Sequence, residues 1–177
     1  QVADVEFYEA SVERLPFPRE TFDKVRIDHV LQYVRNLRGA FRELLRVLKP
    51  GGTLLAVEND WGAFGIHSAQ TKLSSRICAA VSETIASPLA GRLLPALYAE
   101  AGLAKIEIAP QTLVIQDIET ASKCFDIRKT IDALVARGDV SKYESKMWWR
   151  ELETLDAQGS FVAFITAFMV WGRKSAP

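Results

Sequence analysis

Residues 53–58, TLLAVE, form a short run that is apolar at nearly every position. A strand buried on one face alternates. One buried on both faces reads as a continuous apolar run, the pattern of a parallel sheet with helices on each side. Just upstream, NLRGAFRELLRVLKPGG (36–52) places Leu37, Phe41, Leu44, Leu45 and Leu48 on one helical face. Asn36 suits the N-cap, and Pro50, Gly51 and Gly52 supply a stop, since glycine takes the left-handed conformation that ends a helix. Helix, turn and buried strand make half of an α/β unit, which is usually accompanied by a glycine-rich cofactor loop. No G-x-G-x-x-G follows any strand of this sequence.

The remaining pattern agrees with an α/β order. DVEFY (4–8) and DKVRID (23–28) read as strands, separated by a loop punctuated by Pro16 and Pro18. After a loop at 59–67, Leu73, Ile77, Val81 and Ile85 recur at helical spacing, with Pro88 as the stop. A shorter helix is expected from about Leu94 to Ala101, with Pro95 in its first turn and Gly102 closing it. AKIEIA (104–109) and TLVIQ (112–116) return to strand, and helices follow at roughly 119–137 and 142–157. Ser141 and Glu144 form a capping box, and Met147, Trp148, Leu152 and Leu155 an apolar face. The last strand, 160–171, is apolar on both faces and therefore central. Alternating strands and helices give a doubly wound α/β sheet, whose ligands bind beyond the carboxyl ends of the strands.

Composition narrows the function. Twenty-two basic and 22 acidic residues give zero net charge, without the basic footprint of a nucleic-acid binder. The longest apolar run, FVAFITAFMVW (161–171), is about half of what a spanning helix needs, so no membrane is expected. Cys78 and Cys124 lie far apart, which suits a reduced, cytoplasmic protein. With two histidines set apart and no metal-ligand spacing, no metal site is expected. The chain opens on Gln1 and strand-like residues, so sequence upstream of it is expected.

Taken in order, VEFYEASVERLPFPRETFDKVRIDHVLQYV and FRELLRVLKPGGTLLAVENDW resemble the class I S-adenosylmethionine-dependent methyltransferases, in the branch acting on small molecules. LPFP…TFD, RVLKPGG, ENDW and the closing GSFVAFITAFMVWGRK carry the resemblance, which extends over nearly the whole chain. It implies a seven-stranded Rossmann-like sheet ordered 3-2-1-4-5-7-6, last strand antiparallel. Residues 4–8, 23–28, 53–58, 104–109 and 160–171 would be strands three to seven of a single truncated domain (1–177), and 68–101 and 119–157 a helical cover. Strands one and two, the glycine loop and the acid that holds the ribose have no counterpart in these residues.

The resemblance also implies site residues. Ala10, Ser11 and Val12 stand where the family has Gly-Asp-Ala against the donor's adenine, so the aspartate is replaced. Losing that contact and the ribose acid, at about 1.5–3 kcal/mol each, implies roughly 100- to 10,000-fold weaker binding of S-adenosylmethionine. Asp28 either faces the donor's amino group or caps the next turn, and Tyr33, where the family has histidine, either lines the donor pocket or packs. His29 is the candidate general base, with substrate contact or a plain surface loop as alternatives. Glu58 is a candidate catalytic carboxylate. With Asp60 it forms a pair that either orients substrate or is solvated loop charge. Trp61 is either a wall of the acceptor pocket or packing beneath a lid. Of Trp148 and Trp149, one is expected in the core and the other exposed. Two functions result: a methyltransferase for a small-molecule acceptor with an incomplete donor site, or a non-catalytic remnant acting as an interaction module. In either case the unpaired edge of the 23–28 strand, or a displaced 4–8 segment, could pair in a homodimer. A nicotinamide-dependent oxidoreductase is disfavoured by the missing glycine motif.

Overall fold

A computed structural model describes residues 5–176. The chain runs β1 (Phe22–Asp28), a 3₁₀ turn (Leu31–Tyr33), α1 (Leu37–Val47), β2 (Leu48–Ile66), α2 (Thr71–Glu83) and α3 (Ala90–Glu100). It continues with β3 (Leu103–Ile115), α4 (Ile118–Cys124), α5 (Ile127–Arg137), α6 (Lys142–Ala157) and β4 (Ala163–Lys174). The four strands form one sheet in the order β1-β2-β4-β3. β1 and β2 are parallel, while β4 is antiparallel to both its neighbours. The central, antiparallel place expected for the last strand is the one it occupies. The order reproduces four, five, seven and six of the family plan.

Two apolar clusters hold the layers together. One face of the sheet packs Leu54, Ala56 and Val170 against Phe41 and Leu44 of α1 and Leu94 and Tyr98 of α3. Tyr98 keeps its hydroxyl satisfied there by donating to the Val170 carbonyl at 2.8 Å. The second cluster joins α2 and α4–α6 to the far ends of β2 and β4 through Ile77, Phe125, Ile131, Trp148, Phe161 and Ile165. The caps expected from local sequence are present. The Asn36 side chain accepts from the Gly39 N–H, and Ser141 with Glu144 completes a reciprocal capping box.

Several expected boundaries are corrected. Residues 5–8 form no strand, and Asp4 lies outside the described residues. A strand needs a ladder partner, and β1 pairs only with β2 among the described residues. The segment is instead irregular: Phe7 is 92% exposed, while the Tyr8 ring meets Phe17 edge-on at 5.2 Å. Strands four to seven, not three to seven, therefore make this sheet. The α1 helix ends at Val47, before the glycines; Leu48 is already extended, and Gly51, at φ +76°, bends the chain within β2. Residues 59–66 are not a loop, because β4 continues to pair with β2 across an irregularity between Asp60 and Gly65. α3 begins at Ala90, which leaves Pro95 in its interior rather than its first turn. Residues 103–115 form one strand through Pro110, and the helix expected over 119–137 breaks at Asp126, whose φ is +49°.

Candidate functional site

The carboxyl end of β1 lies beside Val57, midway along β2, and the chain leaving β1 is held down by β2. The His29 N–H extends the parallel ladder by donating to the Val57 carbonyl at 2.8 Å. His29 itself has φ +54°, a turn that β-carbon-bearing residues adopt only when their surroundings impose it. The next three residues supply the constraint. The N–H groups of Val30, Leu31 and Gln32 donate to the Glu58 carboxyl oxygens at 2.9, 2.7 and 3.2 Å. Glu58 is 0% exposed, and burial pushes its pKa up against the opposing pull of those N–H groups.

Gln32 extends the arrangement. It is 3% exposed, and its Oε1 accepts from the Trp61 indole N–H at 2.6 Å. Its Nε2 donates to the His29 carbonyl at 3.2 Å, and its own carbonyl accepts from the Ser87 N–H at 2.8 Å. Asp28 faces His29, with Oδ1 2.5 Å from Nδ1, and also pairs with Arg26. The Arg26 hydrogen bond, with a smaller contribution from His29, holds the Asp28 carboxyl below the usual carboxylate range.

In front of this turn is a cleft of about 750 Å³. Its floor is the sheet: Val57 and Asn59, Ile165 and Ala167, and Gln111 to Val114. His29, Gln32 and Tyr33 form one wall, Trp61 and Phe125 another, with Val81 of α2 and Ile85 just after it also lining the cleft. Trp61 and Phe125 meet edge to face at 5.9 Å. Asp126 and Lys129 stand at its α5 side.

The cleft thus gathers three of the sequence candidates, His29, Tyr33 and Trp61, with Asp28 touching the first. Glu58 is not at the surface of the cleft; its oxygens hold the turn from behind. Asp60 is neither solvated nor paired with Glu58 across a site. It is buried and bound by Arg92 of α3, at 2.8 Å from Nε and 2.7 Å from the terminal nitrogen. Ala10, Ser11 and Val12 lie apart from the cleft, and the Ser11 hydroxyl accepts from the Glu13 N–H at 3.2 Å. Trp148 is in the core, and Trp149, partly buried, packs beneath the Arg128 guanidinium at 4.3 Å. Among the described residues no three His, Cys, Asp or Glu side chains cluster as a metal-ligand set. Gln32, Asn59, Phe125 and Lys129 were not foreseen. Extending the strand beyond Glu58 would have put Asn59 on the face of Val57, but no local pattern marks Gln32.

The order β1-β2-β4-β3 with an antiparallel β4 coincides with a match of residues 1–56 to the family model described as a methyltransferase domain. Over those residues the chain resembles the class I S-adenosylmethionine-dependent methyltransferases. The chain is 30% identical over 167 residues to an uncharacterized 37.1 kDa protein in transposon TN4556 of Streptomyces fradiae. That match takes in 94% of the chain and 47% of the relative. It is 40% identical over 86 residues to the ubiquinone/menaquinone biosynthesis C-methyltransferase UbiE of Cronobacter sakazakii, covering 48% of the chain and 34% of UbiE. The chain therefore spans about half the length of the first relative and about a third of the second. Among solved structures, the YcgJ protein from Bacillus subtilis superimposes with TM-score 0.58 at 20% identity, over 99% of this chain and 74% of that one. A Bacillus halodurans protein gives 0.56 at 16%, over 98% and 73%. These two likenesses establish the shared fold.

Two of the residues that the resemblance sets against the methyl donor already have other partners. Ser11 is engaged within its own loop, and the Asp28 carboxylate is taken by Arg26 and His29. Among the described residues no helix is long and apolar enough to cross a membrane.

Proposed function

We propose that residues 1–177 supply the acceptor side of methyl transfer to a small molecule, and that the groups holding S-adenosylmethionine come mainly from family elements outside these residues. The cleft at the carboxyl end of β1 and the adjacent middle of β2, with the Asp28–His29 pair at its rim, carries this reading. Transfer of a methyl group needs alignment more than activation. An acceptor hydroxyl or amine that still carries its proton also needs a base. His29 fills that role when its Nδ1–H donates to Asp28 and leaves Nε2 as acceptor. Tyr33, Trp61 and Phe125 then flank a flat or apolar acceptor. Glu58 acts through the turn it holds, and Asp60 by seating α3; neither touches the acceptor.

The test joins this chain to a glycine-loop half from the same family and follows labelled methyl transfer to a panel of hydroxyaryl and amine acceptors. His29→Ala is expected to lower turnover by about 100-fold or more, the usual worth of a positioned base. Transfer indifferent to that change overturns the assignment. Calorimetry of the chain alone is expected to show no stoichiometric binding of S-adenosylmethionine at micromolar concentration. Tight binding would contradict the division of labour.

A second reading, a non-catalytic module that pairs with a copy of itself, has its own support. Beyond the cleft the same sheet face continues uncovered as Leu55, Met169 and Trp171, beside an edge of β1 that is unpaired among the described residues. In either role a reduced, cytoplasmic setting suits the two free cysteines.

A further inference from the structure

We propose that Gln32 is the positioning residue of the cleft: its side-chain amide ties the Trp61 wall to the turn that carries His29 and Tyr33, and so sets the cleft's width for the acceptor. The proposal rests on the acceptor-cleft reading above. Four observations carry it. The indole N–H can only donate, so the Gln32 atom 2.6 Å from it is the carbonyl oxygen and the amide nitrogen faces the His29 carbonyl. Gln32 is almost wholly buried, where an amide with a lost partner is costly, so the contact is held rather than incidental. Trp61 is otherwise fixed by its backbone N–H on the Pro88 carbonyl at 2.8 Å and by apolar ring contacts, none of which engages the indole N–H. Finally, the Gln32 backbone is pinned on both sides, by Glu58 and by Ser87, so the amide reaches from a fixed base. One residue thereby couples the turn after β1, Trp61 of β2 and, through its backbone, the connection between α2 and α3.

The prediction is read by NMR on this chain. Gln32→Met keeps the length of the side chain but removes its hydrogen bonds to Trp61, Asn59 and the His29 carbonyl. It should speed hydrogen exchange at the Trp61 indole N–H by at least about fivefold, the factor one net hydrogen bond is worth, and leave the buried Trp148 indole unchanged. Binding of 2-naphthol, followed through the Trp61 and Ile165 signals, should weaken by a similar factor. Gln32→Glu restores an acceptor for the indole and should recover the slow exchange. Trp61→Phe approaches the contact from the other side and should weaken naphthol binding without a further loss when combined with Gln32→Met. Unchanged Trp61 exchange in Gln32→Met overturns the proposal. So does exchange that rises equally at Trp148, since Gln32 would then be ordinary core. If 2-naphthol leaves the wild-type cleft signals unmoved while Gln32→Met still frees Trp61, the acceptor-cleft reading fails and the positioning role with it, although the contact stands.

Discussion

Two glutamates carry similar chemistry and opposite consequences. Glu58 receives three backbone N–H groups in a buried place, and desolvation outweighs them, so its folded pKa is raised. Its contribution is fully present below the unfolded pKa and is lost as pH rises through the folded value. Glu43 is tied more openly. Arg46 binds both its oxygens, at 2.8 and 2.7 Å, and the Leu15 N–H donates to it at 2.7 Å. Arg46 in turn reaches the carbonyls of Phe17 and Leu15, so the pair fastens the proline-punctuated loop to α1. Chiefly through the Arg46 hydrogen bonds, the Glu43 carboxyl is held at about 2, below its ordinary 4.5. A depressed carboxylate stabilises above its unfolded pKa and loses that contribution as pH falls through the folded one. Glu43→Gln should therefore lower the urea midpoint at neutral pH, and the gap from wild type should close between about pH 4.5 and about pH 2. A gap that stays constant across that window would show that the loop is not held by this charge.

The seating of α3 depends on a close approach that only glycine permits. A β-carbon on Gly91 would lie 2.6 Å from the Glu58 carbonyl oxygen and 2.9 Å from the Asn59 carbonyl carbon and oxygen, all of them backbone atoms of β2. Neither element yields easily: Asp60 on β2 clamps Arg92, the residue after Gly91. Gly91→Ala should cost about 1–3 kcal/mol in the urea-unfolding free energy despite the better helix propensity of alanine, because overpacking exceeds that gain. A stabilised variant would mean that α3 can move away freely. This contact also explains what could be read in advance. The caps at Asn36 and Ser141 involve residues three apart, and the helix face of α1 and the central β4 follow from periodicity, so local sequence carried them. The start of α3 at Ala90, the break at Asp126 and the extension of β2 to Ile66 are set by partners distant in sequence: β2 beneath Gly91, Phe64 packed 4.5 Å from Phe125, and β4 alongside residues 59–66. The site divides the same way. His29, Tyr33 and Trp61 were visible as residues after strands, whereas the work of Glu58 and Gln32 lies in hydrogen bonds spanning 26 to 29 residues.

Across the whole molecule, the two sheet faces are treated unequally. One is covered along its length by α1 and α3, while α2 and α4–α6 cover only the far end of the other. The rest of that second face presents Leu55, Met169 and Trp171 around an open apolar hollow of about 620 Å³, framed by Lys24 and Arg26. Beside it β1 offers an unpaired edge among the described residues. An apolar face next to an open ladder is what edge-to-edge association uses, and lysine and arginine on the edge weaken that tendency without removing it. This chain on its own should therefore self-associate in sedimentation velocity at about 100 μM, more strongly in high salt, where repulsion between the basic side chains of two edges is screened. Trp171→Lys should shift it toward monomer, because it sets a charge in the apolar hollow while leaving the α1–α3 face intact. A chain that is monomeric at that concentration in both low and high salt would rule out pairing through this face. It would also leave the acceptor-side role as the one the cleft alone supports.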